Sequence, residues 1–114
     1  RKEGLGWLDE LAAYNATIDD RPHVRIPVFS LKINDDTIIW AAPLELFSEI
    51  SMNIRAASPF ERTLYFGLTN GSLLYLPTKA AFAEGGYEPN VSPYTPQAEA
   101  DFTEGVSAYL RGLR

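Results

Sequence analysis

The sequence predicts an α/β fold, with an α+β arrangement as the alternative, built on a mixed sheet of about four strands. Two strand-like segments flank the turn residues 34–36, which is the pattern of a β-hairpin. Residues 44–57 and 95–113 repeat apolar side chains at intervals of three and four, which is typical of amphipathic helices. We therefore expect one helix directly after the second strand of the hairpin and another at the C-terminus.

The first hairpin is predicted from residues 23–33 and 37–41. Apolar side chains change parity just after Pro27, as expected for a β-bulge or for a strand buried on both faces. Pro43 then ends the second strand, and the predicted helix follows it. Glu45 would therefore lie in the first turn of that helix.

A second hairpin is predicted from residues 62–68 and 73–76, because Asn70-Gly71 between them strongly favours a tight turn. The other predicted elements are, in chain order, an amphipathic helix over residues 6–14, a short helix that Thr78 caps and Gly85-Gly86 ends, a loop over residues 89–93, and a helix that begins at Thr95-Pro96.

Composition limits the functions to consider. A chain of 114 residues is one domain, or part of one, over residues 1–114. A net charge of −5 without a basic stripe argues against nucleic acid as a partner. No apolar run reaches the roughly 18 residues of a transmembrane segment. With one histidine, His23, and no cysteine, the chain cannot form a histidine-rich or thiolate zinc site by itself.

Three residues are candidates for chemistry. Tyr75 closes a predicted strand and Tyr87 follows a glycine pair, so both phenols are expected to face one cleft. Glu45 follows a strand directly, where functional side chains concentrate in α/β proteins. Each has a structural alternative: helix capping for Glu45, cross-strand packing for Tyr75 and anchoring of a loop for Tyr87. Taken without other information, the residues favour these structural roles.

Four short motifs carry a resemblance to a known family. They are Ala41-Ala42-Pro43-Leu44-Glu45-Leu46-Phe47, Gly67-Leu68-Thr69-Asn70, Tyr75-Leu76-Pro77-Thr78 and Gly86-Tyr87-Glu88. Together they resemble the C-terminal part of the catalytic domain of neutral/alkaline non-lysosomal ceramidases and their bacterial relatives. The first motif is similar to that family's Pro-Gly-Glu-Phe element. The match extends from about residue 28 to the C-terminus.

The resemblance implies a zinc-dependent amide hydrolase. Members of the family hold one zinc through two histidines, a glutamate and a tyrosine, and a zinc-bound water attacks the amide. On this chain the glutamate ligand corresponds to Glu45 and the tyrosine ligand to Tyr75. The tyrosine that donates a hydrogen bond to the reacting carbonyl corresponds to Tyr87. The implied substrate is an amide lipid such as an N-acyl sphingoid, and the implied location is secreted or periplasmic.

The sequence departs from the family at two points. Leu44 stands where the family has glycine, and the family's histidine ligands lie on earlier segments that this chain does not contain. We therefore expect a C-terminal portion of a catalytic domain, whose partner is the upstream part of the same domain and which is inactive alone. The alternatives are a non-catalytic binding or assembly module, or a structural fragment that self-associates into a homo-oligomer.

Overall fold

The computed structural model describes residues 15–18 and 21–114, and within them it has the predicted combination of helices and a mixed sheet. The strands are β1 (Asn15–Ile18), β2 (Arg21–Val24), β3 (Phe29–Lys32), β4 (Thr37–Ala41), β5 (Glu45–Leu46), β6 (Arg62–Phe66) and β7 (Tyr75–Leu76). The helices are α1 (Ser48–Ala57), α2 (Lys79–Glu84), α3 (Tyr87–Val91) and α4 (Ala98–Leu113). The helix predicted over residues 6–14 lies outside the described residues.

The largest sheet has the order β3-β4-β6. β3 is antiparallel to β4, which confirms the first hairpin, and β6 is parallel to β4. The strand predicted over residues 23–33 is interrupted, because β2 ends before Pro27 and pairs with β1 instead of continuing into the sheet. A strand at β1 was not predicted from the sequence.

The core lies between one face of this sheet and the helices α1 and α4. Alternation along β4 turns Ile38 and Trp40 inward, and both side chains are almost fully buried. Trp40 packs against the ring of Tyr65, with centroids 4.3 Å apart, and against Phe102 of α4 at 6.1 Å. Apolar burial on this face is therefore the main source of stability for the fold.

The second predicted hairpin is wrong. β7 does not return beside β6; it pairs in parallel with β5. After β6 the backbone N–H groups of Leu68 and Thr69 donate to the carbonyls of Leu44 and Ala42, so the chain stays bonded to the segment that leads into β5. The Asn-Gly turn signal is local, whereas the pairing of β7 is decided by the residues it meets in the folded chain.

The predicted start of the first helix is also wrong. α1 begins at Ser48, and Glu45 lies in the short strand β5 that precedes it. The backbone N–H groups of Glu45 and Phe47 donate to the carbonyls of Leu74 and Leu76, so they are engaged in a β-ladder. Helical geometry at Glu45 would leave those ladder bonds unmade.

The remaining elements agree in part with the predictions. The Thr78 hydroxyl accepts a hydrogen bond from the Ala81 N–H and caps α2, as predicted. The loop predicted over residues 89–93 is instead partly helical in α3, and α4 begins at Ala98 rather than at Pro96. In the ranges 15–18 and 21–114, no helix is long and apolar enough to cross a membrane.

Candidate functional site

The short ladder of β5 and β7 places Glu45 directly opposite Tyr75. Paired residues of adjacent strands lie about 4.8 Å apart and direct their side chains to the same face of the sheet. Both side chains are half-buried. Two residues that are 30 positions apart in sequence thus present a carboxylate and a phenol side by side.

Tyr87 joins this pair from the helix α3. Its ring meets the ring of Tyr75 edge to face, with centroids 6.2 Å apart and planes at 83°. Gly85 and Gly86 precede it with φ angles of 81° and 119°, which L-residues rarely adopt, so glycine is needed for the chain to enter α3 in this direction. Tyr87 is 67% exposed, and its phenol is open to solvent. We call Glu45, Tyr75 and Tyr87 the candidate site.

The electrostatics of the candidate site are dominated by Glu45. The negative charge of its carboxylate is the largest cause that raises the pKa of the Tyr75 phenol above its ordinary value. Partial burial of the phenol, the Tyr87 phenol and the Glu88 carboxylate raise this pKa further, followed by hydrogen bonding to Glu45 itself. Without a bound metal, Tyr75 is therefore a neutral phenol at physiological pH, beside Glu45.

The backbone at the start of β7 is held by hydrogen bonds to three consecutive carbonyl groups, those of Leu73, Leu74 and Tyr75. The carbonyl of Leu74 accepts a hydrogen bond from the Glu45 N–H at 3.0 Å, on the β5 side. The carbonyl of Leu73 accepts from the Tyr94 hydroxyl at 2.7 Å, and that of Tyr75 accepts from the Ser92 hydroxyl at 2.9 Å. The outer edge of β7 is thus satisfied by side-chain hydroxyls.

The backbone of β5 is secured in a similar way at Leu44, the residue before Glu45. The Leu44 carbonyl accepts hydrogen bonds from the Tyr65 hydroxyl at 3.1 Å and from the Leu68 N–H at 3.2 Å. A Cβ atom at Gly67 would approach this carbonyl to 3.0 Å, so glycine permits the close contact. The Leu44 side chain is fully buried in the core, which gives this position a packing role that glycine could not fill.

The donor set of the candidate site is compatible with one side of a zinc site. Carboxylate oxygen is an ordinary zinc ligand, and a phenol can ligate once a nearby dication favours the phenolate. Two protein ligands are fewer than the three that a catalytic zinc normally takes from the protein. In the described ranges, no group of three or more histidine, cysteine, aspartate or glutamate residues is placed to hold a metal ion.

Three residues around the candidate site were not singled out from the sequence: Tyr65, Ser92 and Tyr94. Each donates its hydroxyl to a backbone carbonyl 17 to 21 positions away. Burial raises the pKa of Tyr65 to about 12 and that of Tyr94 still further, so both remain neutral donors at physiological pH. No local motif marks these contacts, because they depend on the tertiary path of the chain.

His23 lies exposed in β2, and it is not among the three residues that define the candidate site. Comparisons of this chain with protein-family models, with curated proteins and with solved structures each found no match. The function must therefore be inferred from the chemistry of the candidate site and its surroundings.

Proposed function

We propose that this chain supplies one side of the active site of a ceramidase-like, zinc-dependent amide hydrolase. The observation that carries the proposal is the register of β5 and β7, which sets Glu45 opposite Tyr75 with the Tyr87 ring against the latter. The same three residues correspond to two zinc ligands and a carbonyl hydrogen-bond donor in the ceramidase-like resemblance. That agreement between position and chemistry supports the proposal.

Each residue has a distinct role in this proposal. Glu45 and Tyr75 bind the metal through oxygen, and the remaining protein ligands come from the upstream part of the same domain. When bound, zinc supplies an activated water and polarises the substrate carbonyl. Tyr87, exposed and next to Tyr75, donates its hydroxyl to the carbonyl oxygen as negative charge develops there. The substrate class is an amide, and an N-acyl lipid is the specific expectation.

The metal assignment is tested by elemental analysis of the whole protein, meaning this chain together with the upstream part of the domain. We expect the variants Glu45→Gln and Tyr75→Phe to retain their fold and to lose zinc, because each removes one ligand oxygen. Glu49→Gln is the matched control for the first variant, since Glu49 lies exposed in the first turn of α1, close to Glu45 in sequence. Zinc content that is unchanged in both ligand variants would overturn the assignment.

The role of Tyr87 is tested by kinetics on an N-acyl amide substrate, with the protein that also contains the upstream part of the domain. We expect Tyr87→Phe to lower kcat by about 10²-fold, the loss that accompanies removal of one oxyanion donor, while zinc content stays constant. Tyr109→Phe is the matched control, because Tyr109 is an exposed tyrosine on α4 whose hydroxyl bonds to Ser30. Equal kcat values for Tyr87→Phe and the wild-type protein would remove Tyr87 from the mechanism.

The alternative function, a non-catalytic assembly module, is favoured by one surface. The outer face of the β3-β4-β6 sheet, on the side away from α1 and α4, is apolar except for the row Thr37–Arg62 at one end. Its two apolar rows are Leu31–Ile39–Leu64 and Phe29–Ala41–Phe66, in which Ala41 is buried between its neighbours. Leu31, Leu64 and Phe66 are 62%, 44% and 54% exposed. Because contiguous exposed apolar surface commonly marks an interaction site, this face is expected to have a partner.

A second copy of the chain is the partner that we propose for this outer face. The two rows carry no charge, so two copies can meet there without bringing together the negative charges of a chain with net charge −5. Light scattering over a concentration series should show a dimer that Phe66→Glu converts to a monomer. Met52→Glu is the control, since Met52 is 61% exposed on α1. A monomeric wild-type protein at every concentration would exclude self-assembly through this face.

A further inference from the structure

The residue before Tyr75 has an unusual backbone conformation. Leu74 has a φ angle of 70°, in the left-handed region that bulky L-residues rarely occupy. Such a conformation persists only when the surrounding structure holds it, and it is frequent where a functional side chain must be aimed. The contacts around Leu74 therefore determine where the Tyr75 phenol lies.

Those contacts come from both sides of the strand. Glu45 donates its N–H to the Leu74 carbonyl from β5. The Tyr94 and Ser92 hydroxyls donate to the carbonyls on either side, those of Leu73 and Tyr75. In the described part of the chain β7 has β5 as its one neighbouring strand, so the two hydroxyls occupy the edge where a further strand would bind.

The two hydroxyls are themselves held in place. The Tyr94 N–H donates to the Ser92 oxygen at 3.2 Å, which leaves the Ser92 proton directed to the Tyr75 carbonyl. The Tyr94 ring packs against the hydrophobic core, so its hydroxyl is anchored by apolar burial. We call these two residues the hydroxyl clamp.

The hydroxyl clamp also connects the two tyrosines of the candidate site. α3 carries Tyr87 at its start and leads directly into Ser92. The segment that holds the β7 backbone is therefore the same segment that presents the Tyr87 ring to Tyr75. Loss of the clamp is expected to change the environment of both rings.

We propose that Ser92 and Tyr94 are positioning residues for Tyr75, which hold its phenol beside Glu45 and in contact with Tyr87. The effect on metal binding rests on the proposed function, whereas the positioning itself rests on the hydrogen bonds. Residues that orient a metal ligand typically change metal affinity by about 10- to 100-fold when they are removed. The clamp acts through the backbone on either side of Leu74.

The test uses the whole protein labelled with 3-fluorotyrosine and observed by fluorine NMR. The signals of Tyr75 and Tyr87 are assigned from the variants Tyr75→Phe and Tyr87→Phe. We expect Ser92→Ala and Tyr94→Phe to shift or broaden both signals and to weaken zinc binding by about tenfold or more. Ser92→Thr keeps a hydroxyl and is expected to restore the wild-type signals.

Tyr109→Phe is the matched control, since it removes a tyrosine hydroxyl that makes a 2.7 Å bond to Ser30 away from the candidate site. It should leave the Tyr75 and Tyr87 signals in place. Unchanged Tyr75 signals in both clamp variants, even with a lowered Tm, would overturn the positioning role. Signals that move in a protein that binds no zinc would support the clamp and overturn the proposed function, so the two failures are distinguishable.

Discussion

The described residues form two parallel strand pairs, β4–β6 and β5–β7, that are stabilised in different ways. β4 and β6 share five registered residue pairs, and β4 buries Ile38 and Trp40 under the helices. β5 and β7 share two pairs, and one of them consists of the half-buried Glu45 and Tyr75. The first pair is a structural element of the core, and the second carries the candidate chemistry.

The two strand pairs differ in the interactions that stabilise them. The β4–β6 pair depends on apolar burial, which is non-directional. A polar side chain buried there without a hydrogen-bond partner would lower stability. The β5–β7 pair also buries Leu76 in the core, with Leu46 packed against it. In addition, the hydroxyls of Tyr65, Ser92 and Tyr94 donate to particular carbonyls in and beside this pair at defined distances. A ladder secured by directional bonds can present polar side chains to solvent in a defined geometry. This difference predicts that loss of a core side chain at the first pair costs more stability than loss of one hydroxyl donor at the second.

The largest effect is expected from Trp40→Ala. Removal of this side chain, which is 1% exposed, should lower the free energy of unfolding by about 3–5 kcal/mol, against a total of about 5–15 kcal/mol for a typical protein. Urea denaturation followed by circular dichroism measures the change. Met52→Ala is the control, because Met52 is exposed and its loss should cost less than about 0.5 kcal/mol. A small effect of Trp40→Ala would contradict the view that burial dominates this region.

A smaller effect is expected from hydroxyl removal at the second pair. Tyr94→Phe should lower the free energy of unfolding by about 1–3 kcal/mol, because the Leu73 carbonyl loses the hydroxyl donor at 2.7 Å. Tyr65→Phe should cost about 0.5–1.5 kcal/mol, because the Leu44 carbonyl keeps the Leu68 N–H as a donor. Both variants keep the aromatic ring in place. The reverse order of the two costs would show that carbonyl satisfaction does not control this ladder.

Alkaline pH should weaken the same region. Burial raises the pKa of Tyr65 in the folded protein to about 12, above the ordinary value of 10.0, so its contribution to stability is fully present below pH 10 and is lost as the pH rises to about 12. The pKa of Tyr94 is raised for the same reason and acts in the same direction. With both rings partly in contact with water, a loss on the order of 1 kcal/mol is expected. Tm measured between pH 9 and 12 tests this, and the double variant Tyr65→Phe/Tyr94→Phe should show a flatter profile.

The smallest effect is expected at the hairpin turn, outside both strand pairs. Lys32 and Asp35 form an ion pair with an N–O distance of 3.7 Å, and the Asp35 side chain is 93% exposed. Asp35→Asn should change the free energy of unfolding by less than about 0.5 kcal/mol. Denaturation in low and high salt should give the same result. A loss of more than about 1 kcal/mol in the free energy of unfolding would show that this exposed ion pair stabilises the protein as much as a hydroxyl donor at β5–β7 does.

The candidate site was predicted from residue identity and motif, while its geometry was not. Glu45 was expected in a helix and lies in a strand, yet it meets Tyr75 through the register of β5 and β7. The metal-binding roles of Glu45 and Tyr75 stay predictions. Ser92 and Tyr94 carry no local signal, because each acts through a carbonyl far away in sequence.

The sequence by itself determined the elements whose side chains alternate or recur with a clear period. These include the β3–β4 hairpin, the apolar stripes of α1 and α4, and the Thr78 cap of α2. The period with which side chains return to one face, 2 in a strand and 3.6 in a helix, follows from local backbone geometry. It can therefore be read from a short stretch of sequence. Only the tertiary structure decided that β7 pairs with β5, since backbone N–H and C=O groups bond to whichever distant segment the packed core brings to them.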